Sequence, residues 1–187
     1  MCGIIGINSN KPVSSTIINS LKKLEYRGYD SAGIATLFNG LIDEVKSEGR
    51  VDNLEKNSLV QGMQGSIGIG HVRWATHGLP NRVNAHPHSS QNVSVVHNGI
   101  IENSTSLKKF LVTKGHKFKS QTDTEVIVHL ITENLKTENI INSIKKTLKS
   151  LHGSFALGII FKDKPDLIVG ARSCLLYTSD AADDSLR

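Results

Sequence analysis

Apolar positions in this chain recur at two different spacings, and the change from one to the other marks its elements. Residues 3–8 (GIIGIN) form a short apolar run suited to a buried strand. Pro12 and Ser14-Ser15 then give a helix-start signal, Ile17, Ile18, Leu21 and Leu24 share one helical face, and Gly28 is a plausible stop. Residues 33–38 (GIATLF) and 41–47 (LIDEVKS) read as two strands of a hairpin, because the Asn39-Gly40 pair between them accepts the positive φ of a tight turn. Residues 67–72 and 93–97 are further strands. Between them, from about Thr76 to Asn92, runs a stretch rich in Gly, Pro, Asn and His. Loops of that length without structure of their own are usually functional or disordered.

Helical spacing returns in the second half. Ser104 is placed to cap a helix carrying Leu107, Phe110 and Leu111 that ends near Gly115. Thr122-Asp123-Thr124-Glu125 has the form of a capping box ahead of Val126, Ile127, Leu130, Ile131 and Leu135. Another amphipathic helix carries Ile140, Ile141, Ile144, Leu148 and Leu151 and stops at Gly153. Residues 155–161 and 166–171 close the pattern as a strand pair across Lys164-Pro165-Asp166. Strands, then adjacent helices, then strands again predict an α+β layered fold rather than alternating βαβ units.

The chain has 187 residues, 38% hydrophobic and 21% charged, as expected for one globular domain with a substantial core. No apolar run is long enough to span a membrane, and the N-terminus lacks a basic segment followed by an apolar one, so neither membrane insertion nor secretion is expected. The net charge of +5 comes largely from lysines interleaved with apolar helical positions and without aromatic stacking partners. That pattern describes solvated helix faces rather than a nucleic-acid surface, and it leaves room for an anionic small molecule. Two cysteines, Cys2 and Cys174, do not suggest a disulfide framework.

Cys2 changes the picture. Once Met1 is removed, one residue carries a thiol and a free α-amine, with ordinary pKa values of about 8.5 and about 8. The amine can take the thiol proton and return it to a leaving group, which is the requirement of covalent acyl transfer. The plainer alternative is a small apolar residue opening the first strand. Five segments, the first of them opened by Cys2, carry the unusual polar content: CGIIG at 2–6, EYRGYDSAG at 25–33, HVRWATHG at 71–78, NAHPH at 84–88 with VHNGIIEN at 96–103, and TDTE at 122–125. Together, in this order and across residues 1–173, they resemble the glutaminase domain of the class II (N-terminal nucleophile, Ntn) glutamine amidotransferases. The tyrosine-rich and RWATHG segments resemble the branch of that family that makes glucosamine 6-phosphate.

The resemblance implies a four-layer αββα sandwich with two antiparallel sheets, here lacking its C-terminal strands. It also implies hydrolysis of glutamine to glutamate and ammonia through a thioester on Cys2. The Asn98 amide and the Gly99 N–H match the family's oxyanion donors; Asn98-Gly99 is also readable as a tight turn after 93–97. Arg73 matches the residue gripping the glutamine α-carboxylate, where a planar fork makes two parallel bonds that lysine does not reproduce. Asp123 matches the residue holding the α-ammonium, with stabilisation of a helix N-terminus as its alternative duty. Thr76 and His77 match pocket positions, and Trp74 a mobile tryptophan at the exit of the site, or else an ordinary buried aromatic. Arg27 matches an arginine near the catalytic N-terminus, or else a surface ion pair; His86 is a supporting pocket neighbour.

His77, His86, His88 and His97 also invite a metal reading, but the carboxylate or cysteine ligands that usually complete such a site are not apparent in the sequence. The family implies no metal and no cofactor. The implied partners are glutamine and, only through a second sugar-isomerising domain absent from these residues, fructose 6-phosphate; the full-length parent is expected to be a cytoplasmic homo-oligomer. Residues 174–187 match neither the family pattern nor any period and are expected to lie outside the domain, as a disordered or non-native tail. Other amidotransferases with the same glutaminase chemistry and a non-catalytic glutamine-binding fragment are the competing readings.

Overall fold

A computed structural model describes residues 2–75 and 78–174. Its first sheet is made by β1 (Gly3–Asn8), β2 (Ser31–Phe38), β3 (Leu41–Glu48) and β4 (Ile67–Arg73), in the order β1-β4-β2-β3. The second is made by β5 (His88–Ser89), β6 (Val93–Ile101), β7 (Gly153–Phe161) and β8 (Ile168–Ser173), in chain order. Every pairing is antiparallel. The β2–β3 turn is the expected one, with Asn39 and Gly40 at φ of 48° and 72°.

Three apolar clusters show how the layers stack. Helix α1 (Ser14–Leu24), with the short α2 (Val51–Glu55) and α3 (Ser58–Gln61), buries Ile17, Ile18, Leu21, Leu54 and Val60 against the outer face of the first sheet. Helices α4 (Ser104–Thr113), α5 (Glu125–Asn134) and α6 (Ile140–Ser150) bury Leu111, Ile127, Ile131 and Ile144 against the second. Between the sheets, Ala35, Leu37, Ile67 and Ile69 of one face meet Val96 and Ile160 of the other. This is the four-layer αββα arrangement expected from the resemblance. It explains why β4 is buried at every position instead of alternating: its sheet is covered on both faces.

Local differences from the sequence reading have physical causes. α2 and α3 are five and four residues long, too short to show a helical period. The N-cap of α4 is Asn103, not Ser104; its side chain donates to the Ser150 carbonyl (2.8 Å) and accepts the His152 N–H (3.0 Å), tying α4 to the end of α6. The capping box does not form, because α5 begins at Glu125 and a carboxylate one residue after the cap cannot reach back to it. Glu125 instead accepts the Lys119 N–H (2.8 Å), the Ser120 N–H (2.7 Å) and the Ser120 hydroxyl (2.7 Å). The last strand of the first group runs on through Ile101, so Asn98-Gly99 is not a turn but strand, paired with Ala156 and Phe155 of β7.

Candidate active site

Polar side chains are buried mainly where β4, the 84–88 segment, β6 and the 120–125 segment meet: His71, Arg73, Asn84, His86, His88, His97, Asn98, Thr122, Asp123, Thr124 and Glu125. Such groups are rarely buried without partners or purpose, so this end of the sandwich is where chemistry is to be sought.

Cys2 stands at its edge. The β1–β4 register sets Gly3 opposite Val72, which brings Cys2 alongside Arg73 and Trp74. Its Sγ accepts the Trp74 N–H at 3.1 Å and lies 3.5 Å from the Trp74 carbonyl oxygen. Asn98 Nδ2 donates to the Cys2 carbonyl at 3.0 Å, so residue 2 is held by both sheets. Burial pushes the thiol pKa up; the Trp74 N–H and the Arg73 guanidinium work against that, while the Asp30 carboxylate adds to it. A thiol in this position stays protonated at neutral pH and needs a base to become a nucleophile.

Asn98 is aimed by its other end. Its Oδ1 lies 2.9 Å from His71 Nε2, which is also 3.0 Å from the His97 carbonyl. Next to it, Gly99 has φ of +117°, and a Cβ there would stand 2.0 Å from the Ser154 carbonyl oxygen. The glycine is thus required by β7 and by its own backbone.

Arg73 is 3% exposed, and its guanidinium donates to the Leu79 (3.2 Å) and Gly78 (3.5 Å) carbonyls. Asp30 stands 3.9 Å from it, accepts the Ser31 hydroxyl at 2.8 Å, and takes the Ala75 N–H in a short bond. Asp123 Oδ2 accepts the Ile101 N–H at 2.8 Å, and Oδ1 lies 3.9 Å from His97 Nδ1. Asp123 therefore fastens the 120–125 segment to β6 just past Gly99 instead of capping α5.

The histidines form a packed group. His86 stacks on His71 with ring centroids 4.3 Å apart and meets His88 edge-on at 4.9 Å. The Thr124 hydroxyl sits between His86 Nε2 (2.7 Å) and His97 Nδ1 (2.9 Å). Burial lowers the pKa of His71 to about 3, of His88 to about 3, and of His86 well below the ordinary value, so all three are neutral. Among the described residues no group of three or more His, Cys, Asp or Glu is arranged to hold a metal ion.

Of the residues singled out from sequence, Cys2, Asn98, Gly99, Arg73, Asp123 and His86 lie in this one region. Trp74 is 51% exposed, its ring edge-on to Tyr29 at 5.9 Å, so it is not a buried aromatic. Arg27 follows α1 and donates from Nε to the Tyr26 hydroxyl at 3.0 Å; the guanidinium acting on the Cys2 thiol is that of Arg73. Thr76 and His77 lie outside the described residues. Sequence reasoning missed Asp30, Thr124 and His71. A histidine inside the apolar run Ile67–Val72 was the available signal for the last.

Known proteins resemble this chain in sequence and in fold. The family model described as "Glutamine amidotransferase domain" matches residues 77–181. The glutamine–fructose-6-phosphate aminotransferase (isomerizing) of Mesorhizobium japonicum is 52% identical over 174 residues, 92% of this chain and 29% of the relative. The chain thus spans under a third of the length of that curated relative. Among solved structures, the glutamine phosphoribosylpyrophosphate amidotransferase of B. subtilis superposes with a TM-score of 0.74 at 31% identity, covering 86% of this chain and 35% of that one. A glutamine aminotransferase class-II domain protein of Silicibacter pomeroyi, at 12% identity, TM-score 0.63 and coverage of 92% and 76%, shares the fold.

Proposed function

The chain belongs to the glutamine amidotransferase domain family, and from that membership we propose that it releases ammonia from the side-chain amide of glutamine through a thioester on Cys2. The observation that carries the reading is the placement of the Cys2 thiol against the Trp74 N–H while the Asn98 amide nitrogen reaches the same residue from the facing sheet.

The reaction begins after Met1 is removed. The α-amine of Cys2 takes the thiol proton, and sulfur attacks the glutamine side-chain carbonyl carbon, forming the S–C bond. The negative oxygen that develops is met by the Asn98 N–H and the Gly99 N–H, donors of a kind each worth about 100- to 1000-fold in rate. An amide NH2 has two hydrogens, so the bond Asn98 makes to the Cys2 carbonyl leaves the second for the oxyanion. The C–N bond then breaks, the amine's proton leaves with ammonia, and the thioester remains. Water, losing a proton to the same amine, attacks the thioester; glutamate departs and sulfur recovers its hydrogen. Arg73 grips the substrate α-carboxylate and Asp123 the α-ammonium, with Thr76, His77 and Trp74 shaping the pocket. His86 packs behind it, and Arg27 steadies the end of α1 near the N-terminus.

In the parent protein, ammonia passes to a further domain that converts fructose 6-phosphate to glucosamine 6-phosphate, an activity in keeping with the name of the Mesorhizobium relative. We place the domain boundary at Ser173, the end of β8. The parent is read as a cytoplasmic homo-oligomer; among the described residues no helix is long and apolar enough to cross a membrane. Ammonia and glutamate release from glutamine tests the reading. Cys2→Ala is expected to abolish turnover while glutamine still binds by calorimetry. Turnover that survives in Cys2→Ala contradicts it.

A further inference from the structure

We infer that His71 is a positioning residue for the oxyanion hole: its Nε2–H fixes which way the Asn98 amide faces, and thereby keeps the Asn98 N–H pair on Cys2 and the substrate. The inference rests on the glutaminase reading above.

Two backbone carbonyls, neither able to change its role, bracket the argument. His71 Nε2 lies 3.0 Å from the His97 carbonyl oxygen, which can only accept, so Nε2 must carry the hydrogen. That same hydrogen faces the near atom of the Asn98 amide at 2.9 Å, which must therefore be the oxygen. At the far end of the amide, the Cys2 carbonyl at 3.0 Å also only accepts, so the atom facing it must be the nitrogen. Turning the amide over would set N–H against N–H at one end and oxygen against oxygen at the other. The orientation is doubly determined.

The elements make this rigid. His71 lies on β4, between β1 and β2 in the first sheet, and is fully buried. Asn98 lies on β6, between β5 and β7 in the second. The imidazole crosses the sandwich, stacked on His86, and burial keeps it neutral, as a donor-and-acceptor ring rather than a two-donor cation. Without it, among the described residues only the Cys2 carbonyl resists rotation of the amide. An inverted amide would turn its oxygen toward the developing oxyanion.

A double-mutant cycle on the full chain reads this out, with glutamine hydrolysis followed by glutamate formation. His71→Asn, which moves the donor to the position of Nδ1, is expected to lower kcat about 10- to 100-fold with KM little changed, because the lost interaction exists only in the transition state. His71→Gln, whose amide nitrogen can occupy the position of Nε2, is expected to stay within a few-fold of the parent. In an Asn98→Ala background, His71→Asn is expected to add nothing further. Independent, multiplying losses would overturn the inference, as would a His71→Gln variant as impaired as His71→Asn. Nitrogen NMR of the unsubstituted protein tests the same point even where a variant fails to fold. His71 should be the Nε2–H tautomer; an Nδ1–H tautomer overturns the assignment. A parent protein that releases no ammonia but has the Nε2–H tautomer refutes the glutaminase reading and leaves the amide geometry standing.

Discussion

Lowering the pH from about 7 to about 5 should remove several kcal/mol of stability from this fold. His71 and His88 are each pushed down to about 3 by burial, and His86 lies well below the ordinary value for the same reason. In the unfolded chain each recovers a pKa of about 6.5, so the unfolded state binds protons that the folded state refuses. The stabilisation is therefore present above about 6.5 and is lost progressively as the pH falls toward about 3. Between about pH 7 and about pH 5 one such histidine accounts for about 2 kcal/mol, and His71 and His88 together for about 4 kcal/mol as an upper bound, with His86 acting in the same direction. Domains of this kind are stable by about 5–15 kcal/mol in total, so unfolding near pH 5 is within reach. Glu125 does not oppose the trend. Burial resists its ionisation, but bonds from His129, the Lys119 N–H and Ser120 hold it at about 2, so it stays charged across this window. Urea denaturation at about pH 7, 6 and 5 measures the loss directly, and His88→Gln, which deletes one titrating group, should reduce it by about 2 kcal/mol. A denaturation midpoint that does not move over this range, with an unchanged slope, refutes the argument that these rings are buried and neutral.

Three further outcomes follow from individual contacts. Gly99→Ala should destabilise the protein by about 3 kcal/mol or more in the same denaturation assay, since the new methyl meets the Ser154 carbonyl and the backbone is in a conformation costly for alanine. Arg73→Lys should raise the KM for glutamine about 10-fold or more with a smaller change in kcat, because a lysine cannot hold the Gly78 and Leu79 carbonyls and a substrate carboxylate together. Ile131→Ala, emptying a fully buried site under the second sheet, should cost about 2–5 kcal/mol without altering KM.

How much of this was legible in the chain depended on length and on direction. The long elements were plain: α1 from Ile17, Ile18 and Leu21, the β2–β3 hairpin from Asn39-Gly40, and α6 from its apolar stripe. α2 and α3 were not, since four or five residues cannot display a period. Cys2 stood out by its chemistry and Asn98 and Arg73 through the family resemblance, and the fold brings the three to one end of the sandwich. The site was not legible where a side chain acts across layers. His71 reaches Asn98 only because two central strands from different sheets face each other, and Asp30 reaches Ala75 only through the β2–β4 pairing. Glu125 and Asp123 misled for the same reason: their local spacing suggested a cap, while their partners, Ser120 and Ile101, were chosen by tertiary packing.

Everything in the proposed chemistry depends on a free amine on the residue that bears the sulfur. The most direct measurement compares ammonia release by the chain with Met1 removed, verified by intact mass, and by a version carrying an uncleavable N-terminal extension. The account predicts turnover in the first and none in the second, with glutamine bound by both. Undiminished ammonia release from the extended version would contradict it.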